Sequence, residues 1–147
     1  MAGNRSILLI EDNPSDIELT KRALKRGHIV NEIIVAEDGE EALDYLFGTG
    51  SHLGTNLPEL PAIVLLDLKL PKIPGLEVLR RIREHTRTRR LPVIILTTSR
   101  EEEDLGASYD RGANSYVVKP VDYSRFQQAS EQLGLYWLVI NEAPPDV

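Results

Sequence analysis

The chain has 147 residues, of which 41% are hydrophobic and 27% are charged, so it is long enough for one buried core and too short for two full-sized domains. Its net charge of −6 argues against a nucleic-acid-binding surface. No membrane-spanning segment or signal peptide is apparent, so we expect a cytoplasmic protein that binds neither nucleic acid nor membrane, and the absence of cysteine excludes disulfides and thiolate chemistry.

Short apolar runs alternate with helical patterns along the chain. This alternation is typical of repeated βα units, which form a parallel sheet covered by helices. Five strands are predicted, at about Ile7–Ile10, Ile33–Ala36, Ile63–Asp67, Val93–Thr97 and Ser115–Val118.

Helix signals occupy the segments between these strands. Asp38, with Glu41 three residues later, resembles a capping box at the start of the second helix. The other predicted boundaries are Pro14-Ser15-Asp16 and Gly27 for the first helix, Gly75 for the third, Glu101 and Gly112 for the fourth, and Asp122 for a fifth that contains Phe126, Ala129 and Leu133.

Two segments depart from a minimal βα repeat. The stretch from Gly48 to Pro61 is rich in Gly, Pro and polar residues, and we interpret it as a long surface loop that arose as a tolerated insertion. The run from Leu135 to Ile140 is apolar on all sides, so it exceeds what one helix face can bury on its own sheet. This surplus predicts a homodimer contact, with folding back over the protein's own core as the alternative.

Three carboxylates follow predicted strands. Glu11 and Asp12 come directly after the first strand, and Asp67 ends the third. The carboxyl ends of parallel strands form the crevice where ligands bind in an open sheet. Like charges at one place raise the proton affinity of at least one carboxylate unless a cation is present, and an all-oxygen cluster suits Mg²⁺. The sequence therefore predicts a metal site at this edge.

A hydroxyl and an ammonium follow the last two strands. Thr97 ends the fourth strand, and Lys119 follows the fifth and precedes Pro120. Both are expected at the same crevice as the carboxylates. Taken alone, Thr97 would by default be interpreted as a strand-end hydroxyl that bonds the backbone, but the neighbouring site residues favour a role in the crevice.

Together these positions resemble the active site of bacterial response-regulator receiver domains. Pro71 and Gly75 after Asp67 also fit that family. The resemblance implies a flavodoxin-like (βα)₅ fold, a doubly wound parallel α/β sheet with strand order 2-1-3-4-5. It implies a single receiver domain at residues 5–135, followed by a C-terminal extension at residues 136–147.

The resemblance also implies a role for each site residue. Asp67 is expected to accept a phosphoryl group from a histidine kinase, with Lys119 and Thr97 contacting that group. Glu11, Asp12, Asp67 and the backbone carbonyl of Lys69 are expected to hold Mg²⁺. The Lys119-Pro120 peptide bond is expected to be cis.

A narrower resemblance concerns the partner. The sequence from Asp67 to Lys72 and the ending from Tyr136 to Glu142, with Pro144-Pro145, are similar to single-domain regulators that serve bacterial phytochrome histidine kinases. A phytochrome-type sensor kinase is thus the implied partner, and self-catalysed phosphotransfer and autodephosphorylation, rather than classical enzyme activity, are implied.

Two other functions are compatible with parts of the pattern. One is a receiver-like adaptor that works without phosphorylation, although the full set of five site residues argues against it. The other is a Mg²⁺-dependent phosphohydrolase with Asp67 as nucleophile. The haloacid-dehalogenase type would have a second Asp two residues later, where this chain has Lys69.

Overall fold

A five-stranded parallel sheet forms the centre of the protein. The computed structural model describes residues 5–48, 59–97, 115–119 and 123–132. The strands lie in the order β2-β1-β3-β4-β5, which confirms the predicted flavodoxin-like arrangement. All five strands have the predicted bounds: β1 (Ile7–Ile10), β2 (Ile33–Ala36), β3 (Ile63–Asp67), β4 (Val93–Thr97) and β5 (Ser115–Val118).

Four helices are described around this sheet: α1 (Pro14–Arg26), α2 (Gly39–Phe47), α3 (Gly75–Glu84) and α4 (Tyr123–Gln132). Helix α4 is the fifth helix of the sequence prediction. The predicted fourth helix, the loop residues 49–58, the 119–120 peptide bond and the extension at 136–147 lie outside the described residues. Within the described ranges, no helix combines the length and hydropathy needed to cross a bilayer.

The sheet is covered on both faces because its strands alternate their side chains. Ile7 and Leu9 of β1 pack on one face, in a cluster with α1 and α4, whereas Leu8 and Ile10 pack on the other, in a cluster with α2 and α3. All four are fully buried. Burying each such side chain stabilises the fold by roughly 1.5–3 kcal/mol relative to leaving it exposed, so the strands are held firmly in register.

Side-chain caps fix the first turns of α1 and α2 near the carboxyl edge. The Asn13 side chain accepts a hydrogen bond from the Asp16 backbone N at 3.1 Å, so Asn13 is the N-cap of α1. The predicted cap of α2 is confirmed, because Asp38 Oδ1 accepts from the Glu41 N at 2.7 Å. In a standard capping box the Glu41 side chain would accept from the backbone N of the cap residue. Here it accepts from the Glu37 N, one residue before the cap.

The strand register brings the functional ends together. Ile10 pairs with Leu66, so Glu11 and Asp67 follow neighbouring positions in β1 and β3. Thr97 pairs with Val118, so Lys119 extends β5 one residue beyond the end of β4. Residues from four strands thus meet at one edge of the sheet.

Candidate functional site

Three carboxylates form an acidic cluster at the carboxyl edge of the sheet. One carboxylate oxygen from each of Glu11, Asp12 and Asp67 lies within 4.8 Å of the other two. Glu11 is 1% exposed and Asp67 is 6% exposed, whereas Asp12 is open to solvent. Close carboxylates that are partly cut off from water favour a bound cation, and their oxygens are the ligands that hard divalent ions prefer. The cluster therefore fits a divalent metal ion.

Backbone donors orient the two buried carboxylates. The Asn13 N donates to Glu11 Oε2 at 3.3 Å, and the Lys69 N donates to Asp67 Oδ1 at 3.2 Å. Each donor belongs to the turn directly after its strand. The local chain path thereby orients both side chains, and Asp67 Oδ2 accepts a hydrogen bond from Lys119.

Lys119 reaches into the cluster from the last strand. Its side chain is 7% exposed, and its ammonium contacts Glu11 Oε1, Asp16 Oδ2 at 3.0 Å and Asp67 Oδ2 at 3.1 Å. Burial alone would lower the pKa of Lys119, but hydrogen bonds to Glu11 and Asp16 and the charges of Asp67 and Glu11 raise it above its usual range. Lys119 is consequently a permanent cation in this crevice.

For Glu11, burial outweighs the effect of the neighbouring ammonium on the pKa. Burial, and then the hydrogen bond and charge of Asp67, raise the pKa of Glu11 to about 7, despite the opposing effect of Lys119. The ammonium therefore does not neutralise the whole negative charge of the cluster. A second cation at the carboxylates would stabilise the ionised form of Glu11.

The structure describes Lys69 and the backbone of Thr97, two further predicted site residues. Lys69 lines the crevice with an exposed side chain, next to its backbone contact with Asp67. Thr97 ends β4, one residue beyond the register partner of Asp67. The Thr97 backbone therefore lies at the carboxyl edge of the sheet, as predicted. The position of its hydroxyl lies outside what the structure describes.

Asp16 also belongs to the crevice. Its sequence position predicted only a role at the start of the first helix. Asp16 lies in the first turn of α1 and contacts Lys119 from outside the acidic cluster. The available sequence signal was a carboxylate in the first turn of the helix that leaves the crevice. Acidic residues in a first helical turn also interact favourably with the helix dipole. The sequence signal therefore does not distinguish a role in helix stability from a contact in the crevice.

Two glycines shape the loop between Asp67 and α3. A Cβ at Gly75 would lie 2.4 Å from the Asp67 carbonyl oxygen, and the Gly75 N donates to the Leu68 carbonyl at 3.0 Å. A Cβ at Gly39 would lie 2.5 Å from the Ile73 carbonyl oxygen. The loop that carries Lys69 is thus packed closely against β3 on one side and the start of α2 on the other.

Comparison with known proteins shows similarity along nearly the whole chain. The protein-family model of the response regulator receiver domain matches residues 7–131 of this chain. The probable methanogenesis regulatory protein FilR2 of Methanothrix harundinacea is 41% identical over 138 residues, which cover 94% of this chain and 86% of that protein. The response regulator Rcp1 of Synechocystis sp. is 37% identical over 132 residues, which cover 90% of this chain and 88% of that protein.

Solved structures extend this similarity. The bacteriophytochrome response regulator AtBRR is 52% identical with a TM-score of 0.83, and the match covers 94% of this chain and 98% of that one. The Mn²⁺-bound form of Rcp1 is 35% identical with a TM-score of 0.74, and the match covers 96% and 99%. A structure similar to this one has therefore been solved with a divalent metal ion.

Proposed function

Because this chain belongs to the response regulator receiver domain family, we propose that it is a response regulator that accepts a phosphoryl group from a sensor histidine kinase on Asp67. It would act in the cytoplasm and signal through contacts with other proteins. The observation that carries the proposal is the buried Asp67 carboxylate at the crevice, 3.1 Å from the Lys119 ammonium and next to two more carboxylates.

The chemistry is a phosphoryl transfer to a carboxylate. An Asp67 oxygen attacks the phosphorus of a phosphohistidine, the P–N bond breaks, and its electron pair stays on the imidazole nitrogen. Attack of water on the phosphorus later returns the carboxylate and releases inorganic phosphate. Such transfers depend mainly on positioning and charge stabilisation, for which we propose the Lys119 ammonium and the Thr97 hydroxyl as donors to the phosphoryl oxygens.

A metal ion completes the proposed site. Glu11, Asp12, Asp67 and the Lys69 carbonyl would hold Mg²⁺, and the close approach of the three carboxylate oxygens fits such an ion. Bound there, Mg²⁺ would offset the negative charge on the phosphoryl oxygens. The protein itself supplies the buried carboxylates and the backbone donors that orient them.

We propose a phytochrome-type histidine kinase as the phosphoryl donor. The support is the 52% identity to the bacteriophytochrome response regulator AtBRR, over 94% of this chain. Phosphotransfer from an autophosphorylated bacteriophytochrome kinase should be much faster than from an unrelated histidine kinase at equal concentration. Equal rates from both kinases would contradict this partner.

We also propose that residues 5–135 form the receiver domain and that the extension at residues 136–147 contributes to a homodimer contact. The extension and the residue before it contain the apolar run Leu135 to Ile140, which includes Trp137. Aromatic residues are favoured anchors at interfaces, and a symmetric pairing would bury the same surface in both subunits.

The main test uses acetyl phosphate as a small-molecule phosphoryl donor in the presence of Mg²⁺. Wild type should gain a single phosphoryl group that hydroxylamine removes, because an acyl phosphate is labile to it. Asp67→Asn should gain none, since an amide is not a nucleophile of this kind. Asp44→Asn makes the same chemical change on α2, outside the cluster, and should be labelled like wild type.

Intact-mass spectrometry before and after hydroxylamine treatment provides the measurement. A phosphorylated Ser, Thr or His in wild type would contradict the proposed function. Full labelling of Asp67→Asn would do the same.

A further inference from the structure

Asp16 joins the first turn of α1 to the ammonium of Lys119. Its Oδ2 lies 3.0 Å from Lys119 Nζ, and about a third of its side chain (32%) is exposed. Its backbone N donates to Asn13 Oδ1 at 3.1 Å, and the Asn13 N in turn donates to Glu11 Oε2. Asp16 is therefore held by the same turn that orients a carboxylate of the acidic cluster, although it is not a member of that cluster.

The hydrogen bonds of Lys119 show why this contact matters. A lysine ammonium has three N–H donors, and three carboxylates surround it: Glu11, Asp16 and Asp67. Under the proposed function, Asp67 receives the phosphoryl group and Glu11 takes part in holding the metal ion. Both of these partners then have a second task. Asp16 is the carboxylate of the three that can keep its bond to Lys119 throughout.

We infer that Asp16 is a positioning residue that holds the Lys119 ammonium in place while Asp67 gains and loses a phosphoryl group. This inference rests on the proposed function. Without Asp16, the ammonium is drawn towards Glu11 and Asp67, the carboxylates that the metal ion and the phosphoryl group require. Misplacement of a group that binds the transferring phosphoryl oxygens slows the transfer.

A kinetic double-mutant cycle tests the inference. The rate of Asp67 phosphorylation by acetyl phosphate is measured for wild type, Asp16→Ala, Lys119→Met and the double variant, each at saturating Mg²⁺. Asp16→Ala should slow labelling roughly tenfold, and the same substitution should have no further effect in the Lys119→Met background, because residues in one network are not additive. Asp16→Glu keeps the charge and should restore most of the rate.

Two additional variants separate positioning from charge and from folding. Glu18→Ala removes the same charge from an exposed position on α1 and should label like wild type. Asp16→Asn keeps the size of the side chain and the backbone turn, so it reports on the ion pair if Asp16→Ala folds poorly. Labelling of both Asp16→Ala and Asp16→Asn at the wild-type rate would overturn the inference. An equal loss in the wild-type and Lys119→Met backgrounds would also overturn it.

The failure of this inference is distinguishable from failure of the proposed function. A wild type that takes no phosphoryl group contradicts the proposed function. In that event urea unfolding of the same four proteins decides the Asp16–Lys119 contact: non-additive losses of stability support it, and additive losses overturn it.

Discussion

The Glu11 carboxyl and the Lys119 ammonium are both nearly buried and meet in the crevice. Removing one partner of such a pair costs about 3–5 kcal/mol in typical proteins, because the other charge is left buried and uncompensated. Here the surrounding carboxylates of Asp16 and Asp67 share the ammonium. A further cation bound at the cluster would favour the ionised form of Glu11.

The pH dependence of stability should reveal this. Burial raises the pKa of Glu11 from 4.5 to about 7, so between these pH values the carboxyl is ionised in the unfolded chain and protonated in the folded, metal-free protein. The unfolded state then binds fewer protons, and the free energy of unfolding falls as pH rises through this window. We expect Glu11→Gln to lack this fall.

Urea unfolding in the presence of a chelator, at several pH values across that window, provides the measurement. Glu18→Gln changes an exposed carboxyl on α1 and should follow the wild-type pH profile. Parallel profiles for wild type and Glu11→Gln would show that Glu11 does not titrate in this range.

Asp12 provides a separate test of the metal ion. A ligand that binds only the folded state stabilises it, by about 2.7 kcal/mol at 100 times its Kd. Asp12 is exposed, so Asp12→Ala should remove a proposed metal ligand with little loss of packing. We expect Mg²⁺ to raise the melting temperature of wild type and of the Glu18→Ala control, but not of Asp12→Ala. Equal Mg²⁺-dependent shifts in all three proteins would argue against Asp12 as a ligand.

The loop between β3 and α3 shows how secondary-structure elements position the site. The Gly75 N bonds the Leu68 carbonyl, and Gly39 at the start of α2 leaves room for Ile73. Close backbone approaches at both ends of the loop place Lys69 beside Asp67. The site geometry thus depends on contacts between elements as well as on the strands that carry the acidic residues.

Gly75→Ala tests this close approach. Its Cβ would lie 2.4 Å from the Asp67 carbonyl oxygen, so the backbone of α3 or β3 must shift. We expect a loss of about 1–3 kcal/mol in the free energy of unfolding, as for other overpacked sites, together with slower labelling of Asp67. Ser15→Ala, at an exposed position in α1, should change stability by less than about 0.5 kcal/mol. Wild-type stability in Gly75→Ala would contradict the described packing.

The cap of α2 is a second testable contact. Asp38 accepts a hydrogen bond from the Glu41 N, and replacing an N-cap aspartate by alanine typically costs about 1 kcal/mol. Asp38 also lies 3.5 Å from the exposed Lys72 ammonium, a surface pair that is expected to contribute little. Urea unfolding should therefore show a clear loss for Asp38→Ala and almost none for Lys72→Ala. A larger loss for Lys72→Ala would reverse this ranking.

The protein as a whole is predicted to form a homodimer through its C-terminal segment. Sedimentation at about tens of micromolar should show wild type as a dimer and the Trp137→Ala, Ile140→Ala double variant as a monomer, since truncation removes apolar contact area. A monomeric wild type would contradict the dimer. If the segment instead folds back over its own core, the double variant should lose stability without a change in mass.

The family, the order of strands and the edge of the sheet at which the site lies could all be predicted from the amino-acid sequence. Continuous Ile, Val and Leu runs and helix caps are local signals, and parallel strands bring their carboxyl ends to one edge. For this reason the sequence predicts that Glu11, Asp12, Asp67 and Lys119 lie together at one edge of the sheet. The receiver-domain match over residues 7–131 confirms the family that those positions indicated.

The ion pairs and hydrogen bonds within the site could not be predicted from the sequence and are known from the folded structure. Lys119 meets Glu11 and Asp16 across 108 and 103 residues of sequence, and no local pattern encodes which carboxylate an ammonium selects. The raised pKa of Glu11 likewise depends on burial by distant elements. The reason is physical: strand and helix signals act over a few residues, whereas ion pairing, desolvation and backbone approach depend on which side chains the packed sheet brings within a few ångströms.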